Sequence, residues 1–297
     1  MYDVIIIGGG PAGLSAALVL GRCRRQVLVC DTGTPRNAAS QAMHGFLSRD
    51  GIPPWEFLQI ARDQLRPYET VELRDVEVTA AVCRDSRFHV TLAGGATLET
   101  RKLLIATGVR DNLPDIPGFQ ELYGKSVFHC PYCDGWEVRD RPLAIYGRGD
   151  RGLGLSLELT GWSRDLVLCT DGPSEIAAAD LARLDRNGIR VREERVTRLE
   201  GTDRLERIVF DDGAPLDRHA LFFTAGQTQQ SQLATELGCA MNDKGTVRTG
   251  KYEATHLAGL YVAGDASRAV QWVIVAAAEG AEAAFDINAA LLKEGLS

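Results

Sequence analysis

The sequence predicts an α/β fold, and two local patterns carry the prediction. In the first, GGGPAG follows a short apolar strand, Asp3 to Ile7, and opens an apolar helix from Ala12 to about Cys23. A second strand, Gln26 to Cys30, then ends on Asp31. In the other, GRGDRGLG follows the apolar strand Leu143 to Tyr146 and leads into a helical stretch to Leu159, with Val167 to Cys169 as the next strand. Both are strand–glycine loop–helix–strand openings of the Rossmann-like kind, so the expected architecture is three-layered with parallel sheets.

Between these openings the character of the chain changes. Residues 67–100 are rich in Val and Thr alternating with polar residues, which suits antiparallel strands. LLIATG at 103–108 reads as a buried strand ending in a tight turn. DNLPDIPG at 111–118 reads as a linker, and a return crossing is expected near 242–250. The expected domains are therefore 1–116 with 245–297, and an inserted domain at 117–244.

Composition narrows the function classes. The 297 residues are 45% hydrophobic, enough for a large core, and the formal net charge is −7. An acidic chain without a basic face is a poor match for nucleic acid. No apolar run is long enough to span a bilayer, and MYDVIIIGGG reads as a strand and not a signal peptide, so a cytoplasmic protein is expected. Of seven cysteines, Cys23, Cys30, Cys83, Cys169 and Cys239 stand singly and read as small buried hydrophobes. Cys130 and Cys133, in HCPYCDG, read as redox-active or metal-binding. No second CxxC or HxxxH completes a zinc site, so no metal is expected.

The first loop has the chemistry of a dinucleotide site. Gly8 permits the sharp turn, Gly10 lets the backbone approach a pyrophosphate, and Gly13 allows helix and strand to pack closely. The helix N-terminus offers N–H groups and positive dipole to phosphate. Asp31 ends the next strand, where a carboxylate accepts from ribose hydroxyls. In HCPYCDG two intervening residues let one turn bring both sulfurs within bonding distance, and Pro131 suits a first helical position, with Cys130 near the N-cap.

These motifs, in order, resemble the low-molecular-weight thioredoxin reductases among the pyridine nucleotide-disulfide oxidoreductases. GGGPAG, ATG at 106–108, CPYCDG, a second GxGxxG and AGD at 263–265 cover essentially the whole chain. The resemblance implies FAD held by Gly8, Gly10, Pro11, Ala12, Gly13 and Asp31, by Ala106, Thr107 and Gly108, and by Gly264, Asp265 and Gln271. It implies that Cys130 exchanges with substrate, that Cys133 serves the flavin, and that Asp134 shuttles a proton. It also implies a homodimer. His129 departs from the usual reductase, which has a small residue there. His-Cys-x-x-Cys-Asp is similar to the dithiol oxidases of the gliotoxin and holomycin type, and a histidine there could deprotonate an incoming thiol. His44, in MHGFLSRDG, falls in a segment expected to approach the flavin.

The second loop departs further. Gly147, Gly149 and Gly152 keep the spacing, but LVLCTDGPSE places Asp171 where an NADPH domain needs arginines for the 2′-phosphate. Arg148 and Arg151 sit within the loop, where they would crowd a pyrophosphate. This argues against NADPH, and less against NADH, since Asp171 could serve a ribose. The leading expectation is a thiol oxidase that closes a disulfide in a small dithiol, with oxygen as acceptor. The alternatives are an NAD(P)H-dependent thioredoxin reductase acting on a thioredoxin-like protein, a ferredoxin-linked reductase, and a non-enzymatic flavin redox sensor.

Overall fold

The computed structural model describes residues 1–296 and divides them into two compact units. The first unit comprises 1–38, 45–110 and the described residues from 227 onward; the second comprises 39–44 and 111–226.

In the first unit the chain runs β1 (Tyr2–Ile7), α1 (Pro11–Arg22), β2 (Val27–Asp31), α2 (Pro54–Leu65), β3 (Val71–Asp75), β4 (Val78–Arg84), β5 (Arg87–Leu92), β6 (Thr97–Ile105) and β7 (Val109–Asp111). The second unit contributes α3 (Phe119–Leu122), β8 (Val127–Phe128), α4 (Pro131–Asp134), β9 (Leu143–Tyr146), α5 (Gly149–Glu158), β10 (Leu166–Cys169), α6 (Ala178–Arg186), β11 (Arg190–Arg192), β12 (Val196–Glu200), β13 (Arg207–Phe210), β14 (Pro215–Asp217) and β15 (Ala220–Phe223). The chain then returns through β16 (Gln227–Gln229), α7 (Leu233–Glu236), β17 (Leu260–Val262) and α8 (Val273–Leu296).

The first sheet has the order β3-β2-β1-β6-β5-β4, with β17 also on β6. β6 is long enough to serve two neighbours: Thr97–Thr100 pairs antiparallel with β5, and Leu103–Ile105 pairs parallel with β17. The Val/Thr pattern of 67–100 thus covers two pairings. β4, β5 and β6 are antiparallel as expected, whereas β3 lies parallel to β2, which helix α2 makes possible as the crossover. That helix was not foreseen.

Each face of this sheet has its own core. Val4, Ile6, Val27 and Val29 point toward α1 and α8, while Ile5, Ile7 and Leu28 point toward the β4–β5 side. Continuous apolar strands follow from burial on both faces. Leu233, Ala234 and Cys239 are buried in the second of these cores. This apolar anchoring places 227–244 with the first unit, so the return crossing lies earlier than the punctuation near 242–250 suggests. Cys30, Cys169 and Cys239 are buried, but Cys23 and Cys83 are exposed, at a helix end and on the β4–β5 hairpin.

The second unit is built on a parallel sheet, β11-β10-β9-β15-β8, with a separate antiparallel sheet β12-β13-β14. One apolar layer joins these two sheets through Phe119, Phe210, Leu221 and Phe223. Another, with Leu143, Ile145, Leu155 and Leu168, seats α5.

Close helix packing depends on one residue of α8. A Cβ on Gly280 would stand 1.9 Å from the Ala12 carbonyl oxygen in α1. Gly154, on α5, faces open space. Gly280→Ala is expected to lower stability by about 2–3 kcal/mol through overpacking. Gly154→Ala should be neutral or stabilising by up to about 1 kcal/mol through helix propensity. Thermal denaturation of the two variants should move in opposite directions or differ by that margin.

Candidate functional site

The first glycine loop is shaped by three demands. Gly8 has φ +110°, and a Cβ there would meet the Ala106 carbonyl oxygen at 2.3 Å. A Cβ on Gly13 would stand 1.9 Å from the Gly8 oxygen, so Gly13 sets the closeness of helix and strand. A Cβ on Gly10 would meet nothing within 4 Å. That open space lies at the N-cap of α1, with Pro11 at the first helical position. First-turn N–H groups have no intrahelical acceptor and face it.

Asp31 ends β2 as expected. Its Oδ1 accepts from the Gly9 N–H at 3.1 Å, and its Oδ2 meets Arg62 at 2.6 Å. Each carboxylate oxygen has a further lone pair for a ribose hydroxyl. The Thr107 Oγ1 is buried and has no partner within the protein. An orphaned hydroxyl beside a glycine-lined opening is what a polar ligand would satisfy.

The C-terminal portion of the same unit brings Asp265 and Gln271 together through Arg36, a loop residue with no periodic signature. Arg36 Nη1 donates to Asp265 Oδ2 at 2.9 Å and to Gln271 Oε1 at 2.7 Å. Its side chain is mostly buried, and it is a cation able to meet a phosphate or a ribityl oxygen. Behind them Gly264, at φ +79°, donates its N–H to Glu279 at 2.8 Å. Burial pushes the Glu279 carboxyl up to about 7, with the Gly264 N–H and Arg268 acting against that rise. These features fit FAD: Gly8, Gly10, Pro11, Ala12, Gly13, Asp31 and Ala106–Gly108 at one end, and Gly264, Asp265 and Gln271 at the other.

In the second unit Cys130 and Cys133 form a disulfide, with Cα atoms 5.3 Å apart. Cys130 is the N-cap of the single-turn helix α4, Pro131 is at its first position, and the Cys130 carbonyl accepts from both Cys133 N and Asp134 N. His129 is more than a linker residue. Its Nδ1 lies 3.9 Å from Asp111, whose carboxylate is nearly buried and accepts from the Tyr123 hydroxyl at 2.7 Å. The imidazole also lies beside the rings of Tyr123 and Phe223, with centroids 6.5 and 6.4 Å away. Asp134 is half-buried, and burial, with Glu137 adding to it, pushes its carboxyl up to about 7. Near neutral pH it can therefore either take or give a proton. Segment 39–44 groups with the second unit, and the His44 Nε2 is 3.5 Å from Glu137.

The second glycine loop closes on itself. A Cβ on Gly147 would strike the Thr224 hydroxyl at 2.5 Å, and one on Gly152 would stand 2.8 Å from Gly147, so this spacing serves internal packing. At the start of α5 the Gly149 N–H donates to the Ser174 carbonyl at 2.9 Å. Arg148 turns onto the Thr170 carbonyl and lies 3.8 Å from Asp171. Asp171 is itself engaged: Oδ1 accepts from the Val196 N–H at 2.8 Å, and Oδ2 from the Tyr146 hydroxyl at 3.0 Å. The carboxylate read in the sequence as a candidate ribose partner ties the end of β10 to β12 and, like Asp31, keeps a further lone pair on each oxygen. Among the described residues no group of three or more His, Cys, Asp or Glu side chains could hold a metal, and no helix is long and apolar enough to cross a membrane.

Comparison with known proteins agrees with this geometry. Residues 2–280 match the family model described as pyridine nucleotide-disulphide oxidoreductase. Thioredoxin reductase tcpT of Claviceps purpurea is 34% identical over 89% of this chain and 86% of its own. Thioredoxin reductase aclD of Aspergillus oryzae is 30% identical over 97% and 95%. Among solved structures, HlmI is 38% identical with a TM-score of 0.95, covering 99% of this chain and 94% of its own. An oxidoreductase from Agrobacterium tumefaciens is 34% identical with a TM-score of 0.91, covering 98% of each chain. The chain belongs to the pyridine nucleotide-disulphide oxidoreductase family and is an FAD-dependent oxidoreductase acting on sulfur groups.

Proposed function

We propose that the protein is a dithiol oxidase: it closes a disulfide in a small dithiol through Cys130–Cys133 and FAD, and oxygen is the final acceptor. The observation that carries this reading is the Gly149 N–H held by the Ser174 carbonyl. A dinucleotide pyrophosphate would need the N–H groups at the start of α5, and a carbonyl oxygen of the chain already stands there. Displacing it, and turning Arg148 away from Thr170, would cost contacts that a 2′-phosphate beside Asp171 does not return. Each charge-assisted contact is worth roughly 1.5–3 kcal/mol, so two missing ones weaken binding by about two to four decades.

The exchange chemistry follows from the disulfide and its neighbours. A substrate thiol gives its proton to His129 or Asp134, and its sulfur bonds to Cys130 Sγ. The Cys130–Cys133 bond breaks and its electron pair remains on Cys133. The second substrate thiol then loses its proton and displaces Cys130, which closes the substrate disulfide and leaves both cysteines reduced. FAD, when bound, would supply the two-electron acceptor for the Cys130–Cys133 dithiol and a route for that electron pair to oxygen, with hydrogen peroxide as product; loss of the pair from Cys133 re-forms the protein disulfide. His129, seated against Tyr123, Phe223 and Asp111, suits the first deprotonation. Tyr132 and Trp136 stand exposed beside the disulfide and offer apolar surface to a small ring-bearing dithiol. The working form is a homodimer in the cytoplasm. HlmI and tcpT, as similar chains, support a place for this protein among thioredoxin-reductase-like enzymes.

In air, a small dithiol should drive oxygen uptake with one hydrogen peroxide per disulfide formed. Oxygen-electrode and peroxide assays showing no uptake with any dithiol, while a thioredoxin-like protein is reduced, would favour the reductase instead. Cys133→Ser should abolish uptake. Cys130→Ser should leave a Cys133 thiolate that gives a long-wavelength charge-transfer band with the flavin, absent from Cys133→Ser. Interchanged spectra would reverse the roles of the two cysteines.

A further inference from the structure

Asp134 and Glu137 are three residues apart in the continuous turns that begin with α4, a spacing that places two carboxylates on one side. Like charges so placed oppose each other's ionisation. The third member comes from a distant part of the sequence. Segment 39–44 lies against the second unit at Gly124, whose φ of +76° and missing Cβ allow the Ala39 carbonyl to come close; an added Cβ would stand 2.6 Å from it. Met43 is buried, and His44 follows it with Nε2 at 3.5 Å from Glu137 Oε1. Glu137 is 42% exposed, so this end of the cluster meets solvent.

We infer that His44 and Glu137 are positioning residues for Asp134: His44, paired with Glu137, offsets the carboxylate three residues from Asp134 and so keeps Asp134 available as an acceptor for the substrate thiol's proton. This rests on the thiol-oxidising reading above. The charged groups that act on Asp134 are Glu137, which raises its proton affinity, and His44, which lowers it. The two substitutions therefore have opposite signs. His44→Ala leaves the Glu137 carboxylate unbalanced, and Asp134 holds its proton to higher pH. Glu137→Gln removes the opposing charge, and Asp134 ionises at lower pH. A merely structural role for either side chain has no reason to produce shifts of opposite direction.

The test has two arms on the flavin-loaded protein. In the first, the Asp134 side-chain carboxyl is followed by carbon NMR in aspartate-labelled protein and assigned by its loss in Asp134→Asn. Its titration midpoint should rise by roughly half a pH unit in His44→Ala and fall by a similar amount in Glu137→Gln. His44→Lys, which fixes a positive charge there, should return it to or below the wild-type position. In the second arm, the rate of anaerobic flavin bleaching by a dithiol is measured across pH, and its acidic limb should follow the same order. Midpoints that stay put, or move together, would overturn the inference. Failure of any dithiol to bleach the wild-type flavin would instead strike the oxidase reading, and the carboxyl titration would still judge His44 and Glu137.

Discussion

The N–H groups at the start of an α-helix have no partner within the helix, and something must accept them. This chain contains two strand–glycine loop–helix openings and answers that requirement in two ways. At α1 the turn presents Gly10 to open space, with an orphaned Thr107 hydroxyl and a positioned Asp31 in the same unit. At α5 the chain supplies its own acceptor, the Ser174 carbonyl. The segment carrying Ser174 is itself held: Glu193 accepts the Ser174 N–H at 2.9 Å, and the Glu193 carbonyl accepts from Gly172 N at 2.7 Å. The first loop keeps its middle glycine clear, whereas at the second the Ser174 carbonyl already accepts the Gly149 N–H.

That asymmetry gives the redox centre its direction on the proposed route. With the nicotinamide position closed, electrons must enter at the cysteines, and thiols must lose protons there. The local chemistry suits that task. Asp134 is pushed up to about 7 by burial beside Glu137, so it is poised to exchange protons near neutrality. His129 is fixed by two aromatic rings and a nearly buried carboxylate, Asp111. A solvated linker histidine would need none of these partners.

Much of this was legible in the sequence, because glycine spacing and CxxC spacing are local constraints. The turn at Gly8, the closeness at Gly13, the acid ending β2 and the N-cap position of Cys130 each follow from a few adjacent residues. What was not legible depends on contacts between residues far apart. Arg36 sits in a polar loop with no periodic signature, yet it joins Asp265 to Gln271. Asp171 is tied to Val196 and Tyr146, partners that nothing local reveals. His44 stands beside Glu137, a pairing likewise hidden from the sequence, since the backbone opening at Gly124 that admits Ala39 is a tertiary feature. Helix α2 went unseen just ahead of the stretch read for its strands, and it is what turns β3 parallel to β2.

On the proposed route the second glycine loop does not take a dinucleotide, and thiols are the electron source. Anaerobic stopped-flow reduction of the flavin distinguishes the two sources, with NADPH, NADH and a small dithiol compared at equal concentration. Bleaching by the dithiol should be rapid and saturable, and reduction by either nucleotide slow and non-saturating. Rapid saturation by micromolar NADPH would contradict it, because that nucleotide would have to displace the Ser174 carbonyl from the Gly149 N–H.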